Sequence, residues 1–169
     1  MRRAIARAIG GLRQGAIEMT AMQEAVLDLG VEQVLSPALT AVNNAFVQTM
    51  IAHGIPIEAI ITELVLSGEV ERTYRLLREV GYAVQSEFHS PTSQYGQLTR
   101  RGRYDHLDFL PTMAELADDI ESGRFADEWD AERDAGYPKL AKLKEHHAGA
   151  AVREYEADLR TRLGPGVRS

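Results

Sequence analysis

Asp28 and Glu32 stand four residues apart in the run DLGVEQ. On a continuous helix that spacing puts both carboxylates on one face, about one turn apart, where they can grip one hard divalent cation. Magnesium suits two acids better than calcium, because it keeps waters and substrate oxygens in its shell. The same spacing is also common on solvated helix faces, where such a pair is merely charged. Further along lie Glu63, Glu69 and Glu71. Glu63 is embedded in IITELVL, where a buried acid would need a partner. Glu69 follows Gly68, which lets a ligand approach the backbone. By themselves these three acids read as the polar edge of an apolar stripe.

Other candidates carry less chemistry. The glycines of IGGLRQG follow an Arg-rich helical pattern and no strand, so the context of a dinucleotide fingerprint is missing. Neither a P-loop nor a nucleophile-elbow serine occurs. His146 and His147 are adjacent, and adjacent side chains diverge on a helix, so they read as a surface pair. His53, beside Gly54, reads as a partner for a helix C-terminus. His89 sits in an irregular stretch and is the histidine to follow. Trp129, at helical spacing from Phe125, reads as a core anchor.

The elements that must position these residues are helical throughout. Met19, Met22, Val26 and Leu29 recur at three- and four-residue spacings, predicting a helix from about Ala16 to Leu29. Gly30 would ordinarily end it, although Val31, Val34 and Leu35 extend the apolar row and allow a helix with one tolerated glycine. Ser36-Pro37 reads as a cap followed by proline at the first helical position. That helix would run to about His53 and bury Leu39, Val42, Phe46 and Met50. Pro56 opens the next, which extends to Gly81 with a kink at Gly68. Residues 89–108 have turn formers and no period, which predicts a long functional loop. Helices then resume at about 112–122, 124–135, 138–147 and 150–163. No segment alternates with period two, so the fold is expected to be all-α.

Composition narrows the classes. A chain of 169 residues suits one domain, and is too short for a usual dinucleotide-binding fold plus a catalytic domain. The absence of cysteine excludes disulfides, thiolate metal sites and thiol catalysis. A net charge of −6 argues against a general nucleic-acid binder. Apolar runs look shorter than the roughly 20 residues of a membrane span, so a soluble, cytoplasmic protein is expected. The first 17 residues carry +4 through Arg2, Arg3, Arg7 and Arg13, and the rest carry −10. That start reads as the basic face of a helix in preference to a targeting peptide.

Taken together, the motifs resemble the C-terminal helical domain of the ketol-acid reductoisomerase family over about residues 9 to 163. IGGLRQGAIEMT resembles the family's exit from its dinucleotide-binding domain, and DLGVEQ its metal-binding DLFGEQ. HSPTSQYG resembles ISNTAEYG, and DIESGRFADEWDAERDAGYP resembles the late helices nearly residue by residue. The resemblance implies an all-α domain of the 6-phosphogluconate dehydrogenase C-terminal type, knotted and intertwined in a homodimer. Its divisions would be a basic lead-in over 1–15, a catalytic domain over 16–163 and a flexible tail over 164–169.

It also implies roles. Asp28 and Glu32 fall on the first pair of magnesium ligands, and Ser90 on the serine that hydrogen-bonds the substrate. The second acid pair, four apart in the family's ECLHE, maps onto Glu69 and Val65, so one ligand is lost or is supplied by Glu63 through a local shift. In the family, magnesium promotes an alkyl shift in an acetohydroxy acid and NADPH then delivers hydride, in branched-chain amino-acid (valine and isoleucine) synthesis. The NADPH-binding domain would precede Met1 or come from a separate chain. The expected function is therefore a magnesium- and substrate-binding domain without reductase activity of its own. The competing expectations are a non-catalytic helical dimer or regulatory partner, and an isomerase that performs only the alkyl shift.

Overall fold

A computed structural model describes residues 7–8, 15–146 and 150–163. Most of the basic lead-in, with its glycine run, and the 164–169 tail lie outside the described residues, as do His147 and the side chain of His146. Every described regular element is a helix, as the periodicity predicts. In chain order they are α1 (Ala21–Ala52), α2 (Ile57–Ile61, continued by a π turn over Thr62–Leu66), α3 (Glu69–Gln85), α4 (Pro91–Arg101), α5 (Leu110–Ser122), α6 (Arg124–Asp134), α7 (Pro138–His146) and α8 (Ala150–Leu163).

Thr20 starts α1 with a reciprocal cap: its hydroxyl accepts from the Gln23 N–H, and the Gln23 side chain accepts from the Thr20 N–H. Gly30 does not end the helix. Ser36-Pro37 does not start one either, because Ser36 is helical (φ −61°, ψ −40°) and caps nothing. Proline cannot donate to the preceding turn and its ring crowds that turn. The chain widens there into a π turn over Val31–Leu35, where both the N–H and the hydroxyl of Ser36 donate to the Val31 carbonyl. Two expected helices thus become one of 32 residues, with mean hydropathy 1.3 in its most apolar window. By length and composition α1 can cross a membrane, which corrects the expectation that no run reaches that size.

The positive φ of Gly54 and Gly123 turns the chain between helices where expected. Gly81 (φ 80°, ψ 171°) breaks α3 near its end. The predicted loop over 89–108 is half wrong, because Pro91–Arg101 is helical. Its Ser90-Pro91 start is a true cap and first-turn proline: the Ser90 hydroxyl accepts from the Ser93 N–H at 3.3 Å. The apolar period is faint because α4 lies on the surface, with Tyr95 70% exposed.

The front of α1 packs on α5, its back on α2, and α8 closes on α2. Among the described residues, only Val47, Ile60 and Ile120 are buried apolar side chains. Met50 is half-buried, but the expected burial of Leu39, Val42 and Phe46 is not found: all three are exposed, Val42 by 55%. Trp129 is no core anchor; it is partly exposed and lies 5.5 Å from the ring of Tyr137. A compact monomer of 18.7 kDa exposes about 8,300 Å², whereas this chain exposes 14043 Å². The apolar pattern on α1 is real, and much of it stays exposed among the described residues. Among the surface ion pairs is Lys139 with Glu128, whose hydrogen bond and charge raise the ammonium above its ordinary value.

Candidate metal and substrate site

Both α1 acids project from the segment around the π turn. Asp28 precedes it and Glu32 lies inside it, and both are exposed with no hydrogen bond or ion pair. The helix is continuous through them, with Asp28 in its α-helical part and Glu32 in the π turn. Their carboxylate oxygens are the hard donors that magnesium takes, and two such acids plus waters are a sufficient protein contribution.

The second acid set is built around another π turn. The Ser67 N–H donates to the Thr62 carbonyl at 2.7 Å, closing the wide turn that contains Glu63 and Val65. Gly68 follows at φ 74°, ending one helix and capping the next, and Glu69 is the first residue of α3. The Ser67 hydroxyl donates to the Glu63 carbonyl at 2.8 Å and accepts the Glu69 N–H at 3.2 Å. The π turn and the break at Gly68 therefore keep Glu63 and Glu69 off one continuous helix. Their carboxylates share no partner, and Val65 is 59% exposed.

The left-handed backbone at Gly68 gives a direct expectation. A Cβ there meets nothing closer than 3.9 Å, so the effect of Gly68→Ala is conformational: a loss of about 1 kcal/mol from forcing φ > 0 on alanine. Urea unfolding would show it as a lower midpoint at unchanged slope; an unchanged midpoint would mean that the turn relaxes without it.

Glu69 opens on a cavity of about 310 Å³ between α3 and the Phe88–His89 segment, with Arg72, Thr73 and Leu76 along the same face. His89 is half-buried, its Nε2 2.9 Å from the amide nitrogen of buried Gln85. The Gln94 amide donates to the His89 carbonyl at 2.8 Å. Ser90 is next in sequence. Its hydroxyl oxygen is occupied by the Ser93 N–H while its own proton remains available to donate. His53, by contrast, caps the end of α1 through Nδ1 at 2.8 Å from the Thr49 carbonyl, as its position implies.

The acids remain in two groups. Among the described residues no three acidic or histidine side chains come together as a metal cluster. The structure thus brings Glu69 and His89 to one cavity, with Ser90 next to His89 in sequence but not among the lining residues, and leaves Asp28 and Glu32 apart from them. Arg72 is the lining residue that sequence reasoning missed; its place at i+3 from Glu69 was the available signal.

The sequence profile of the family described as "Ketol-acid reductoisomerase, C-terminal domain" matches residues 22–164. The chain belongs to that family. It is 36% identical to the putative ketol-acid reductoisomerase 3 of Saccharolobus solfataricus over 159 residues, 93% of this chain and 48% of that protein. It is 32% identical to the ketol-acid reductoisomerase (NADP(+)) of Methanocaldococcus jannaschii over 161 residues, 95% of this chain and 48% of that one. A solved NADH-preferring ketol-acid reductoisomerase from an uncultured archean superposes with a TM-score of 0.77 at 27% identity, covering 94% of this chain and 47% of that chain. The all-α domain implied by the motifs is therefore the fold observed. The chain spans about half the length of the curated relatives it matches.

Proposed function

We propose that this ketol-acid reductoisomerase C-terminal domain binds magnesium and an acetohydroxy acid for the alkyl migration and NADPH-dependent reduction of branched-chain amino-acid synthesis. The nicotinamide-binding half lies outside these 169 residues, on the same polypeptide or another. The observation that carries the reading is the state of the acids. Among the described residues Asp28, Glu32 and Glu69 are exposed carboxylates without side-chain partners, and Glu69 stands at the cavity that His89 lines. An unpaired acid at a cavity, as Glu69 is, is suited to a cation, and an ordinary surface acid needs no such placement.

In this reading Asp28 and Glu32 of one protomer face Glu69 of a second copy, with Glu63 the substitute for the acid missing at Val65. The uncovered apolar face of α1 is then a seam between two chains of a cytoplasmic homodimer, and not a surface for lipid. Bound magnesium would polarise the substrate's oxygens and stabilise the developing alkoxide. Ser90 would donate its free hydroxyl proton to a substrate oxygen and fix its orientation. Gly68 and the Ser67 bridge hold Glu69 at the rim.

Calorimetry tests this directly. Magnesium should bind the chain with measurable heat, and Asp28→Asn should weaken binding at least about tenfold by removing one of the charged ligands. The second reading, a non-catalytic helical dimer, is favoured by Val65 at a ligand position. It predicts no heat from the unaltered chain, and that result would remove the enzymatic proposal.

A further inference from the structure

Among the described residues that line the cavity beside Glu69, Arg72 is the permanent cation, and its guanidinium has no ion pair or hydrogen bond there. Glu69, Arg72, Thr73 and Leu76 recur at i, i+3, i+4 and i+7, so the first two turns of α3 form one wall. Phe88 and His89 complete the lining. With the Gln85 amide as donor, His89 Nε2 accepts and the ring proton sits on Nδ1, so the ring keeps a donor at its other edge. Gln94 secures the same segment through the His89 carbonyl. The histidine also stands where the family motif ISNTAEYG has isoleucine, exchanging an apolar wall for a hydrogen-bonding one.

We propose that Arg72, with His89 beside it, is the carboxylate-binding end of this cavity, taking the carboxylate of a small 2-hydroxy acid whose hydroxyl end points toward Glu69. A guanidinium fork matches a carboxylate with two parallel hydrogen bonds. At about 310 Å³ the cavity is at the small end of ligand sites, which fits a short acid and excludes a dinucleotide. Glu69 is the opposing charge at the same rim, and a cation held there would remove its repulsion of the incoming anion. The orientation of the hydroxyl end rests on the proposed metal role of Glu69; the Arg72 contact does not.

The probe is 2-hydroxyisobutyrate, a non-reacting 2-hydroxy acid, compared with its neutral amide by NMR titration of the chain with magnesium present. The acid should shift the amides of residues 68–73 and 89–90, and the neutral amide should not. Arg72→Leu should raise the acid's Kd about tenfold, Arg72→Lys should recover part of that, and His89→Ile should raise it about threefold. The titration is repeated in Glu69→Gln with chelator, which removes both the metal ligand and the opposing charge. Dependence on Arg72 should persist there. If it vanishes, the carboxylate sits on the metal and the assignment is overturned, as it is if acid and amide bind alike. Loss of magnesium binding in the unaltered chain, with the Arg72 dependence intact in Glu69→Gln, would instead count against the metal reading alone.

Discussion

Phe46→Asp should convert the homodimer proposed above into a chain that elutes at its own mass and has lost its thermal transition. Phe46 is 42% exposed on α1, in line with Leu35, Leu39 and Val42, all uncovered within one chain. The chain's surface of 14043 Å² exceeds that of a compact monomer by several thousand Å². Obligate dimers commonly bury about 2,000–5,000 Å² in total, about half of it on each chain, so a second copy would cover part of this excess. An aspartate in that seam loses about 3–5 kcal/mol of phenyl burial and adds an unpaired buried charge. Domain stability is about 5–15 kcal/mol, so the loss is of the same order as the whole. Gln48→Asp, at an exposed polar position two residues on, is the control and should leave mass and Tm unchanged. Light scattering with calorimetry checks both. A Phe46→Asp chain that remains dimeric with an unaltered Tm would put the seam elsewhere.

The second large effect is on turnover. Alone, the chain should not oxidise NADPH in the presence of an acetohydroxy acid and magnesium. Mixed with a dinucleotide-binding domain taken from a relative, it should. In that mixture Glu69→Gln should lower kcat by about three orders of magnitude, because a lost metal ligand removes several kcal/mol of charge stabilisation and each 1.36 kcal/mol is tenfold. Glu63→Gln separates the two accounts of the missing ligand. A loss comparable to that of Glu69→Gln makes Glu63 the substitute acid; a loss under about threefold leaves Glu69 alone on its side. Turnover that survives Glu69→Gln would move the chemistry off this rim.

Much of the architecture was legible because helix periodicity and capping are local. The Gly123 turn, the late helices and the Gly81 break were all in the residue order. The errors share a cause. Ser36-Pro37 and Ser90-Pro91 are the same dipeptide, yet one sits inside a helix and the other starts one. The difference lies in the flanks. An apolar row runs through Ser36 and a π turn absorbs the proline, whereas Ser90 follows an extended His89 (φ −100°, ψ 159°) that ends the preceding turn. The candidate site residues came from two sources: Asp28 with Glu32 from their spacing, and Glu69 and Ser90 from the family resemblance. Arg72 was legible from neither, because an arginine on a polar helix face is indistinguishable from its neighbours until Phe88 and His89 are seen across from it.

By itself, then, the sequence determined the helical class, the family motifs and the acids that suit a hard cation, since each depends on spacings within a few turns of one helix. Tertiary structure alone decided that Leu35, Leu39, Val42 and Phe46 of α1 stay exposed among the described residues, and that Glu69 shares a cavity with Arg72 and His89 while Asp28 and Glu32 do not. The physical reason is that an apolar period reports that a face needs burial and does not say against what. Residues distant in sequence meet only through helix packing, and here that packing is incomplete within a single chain.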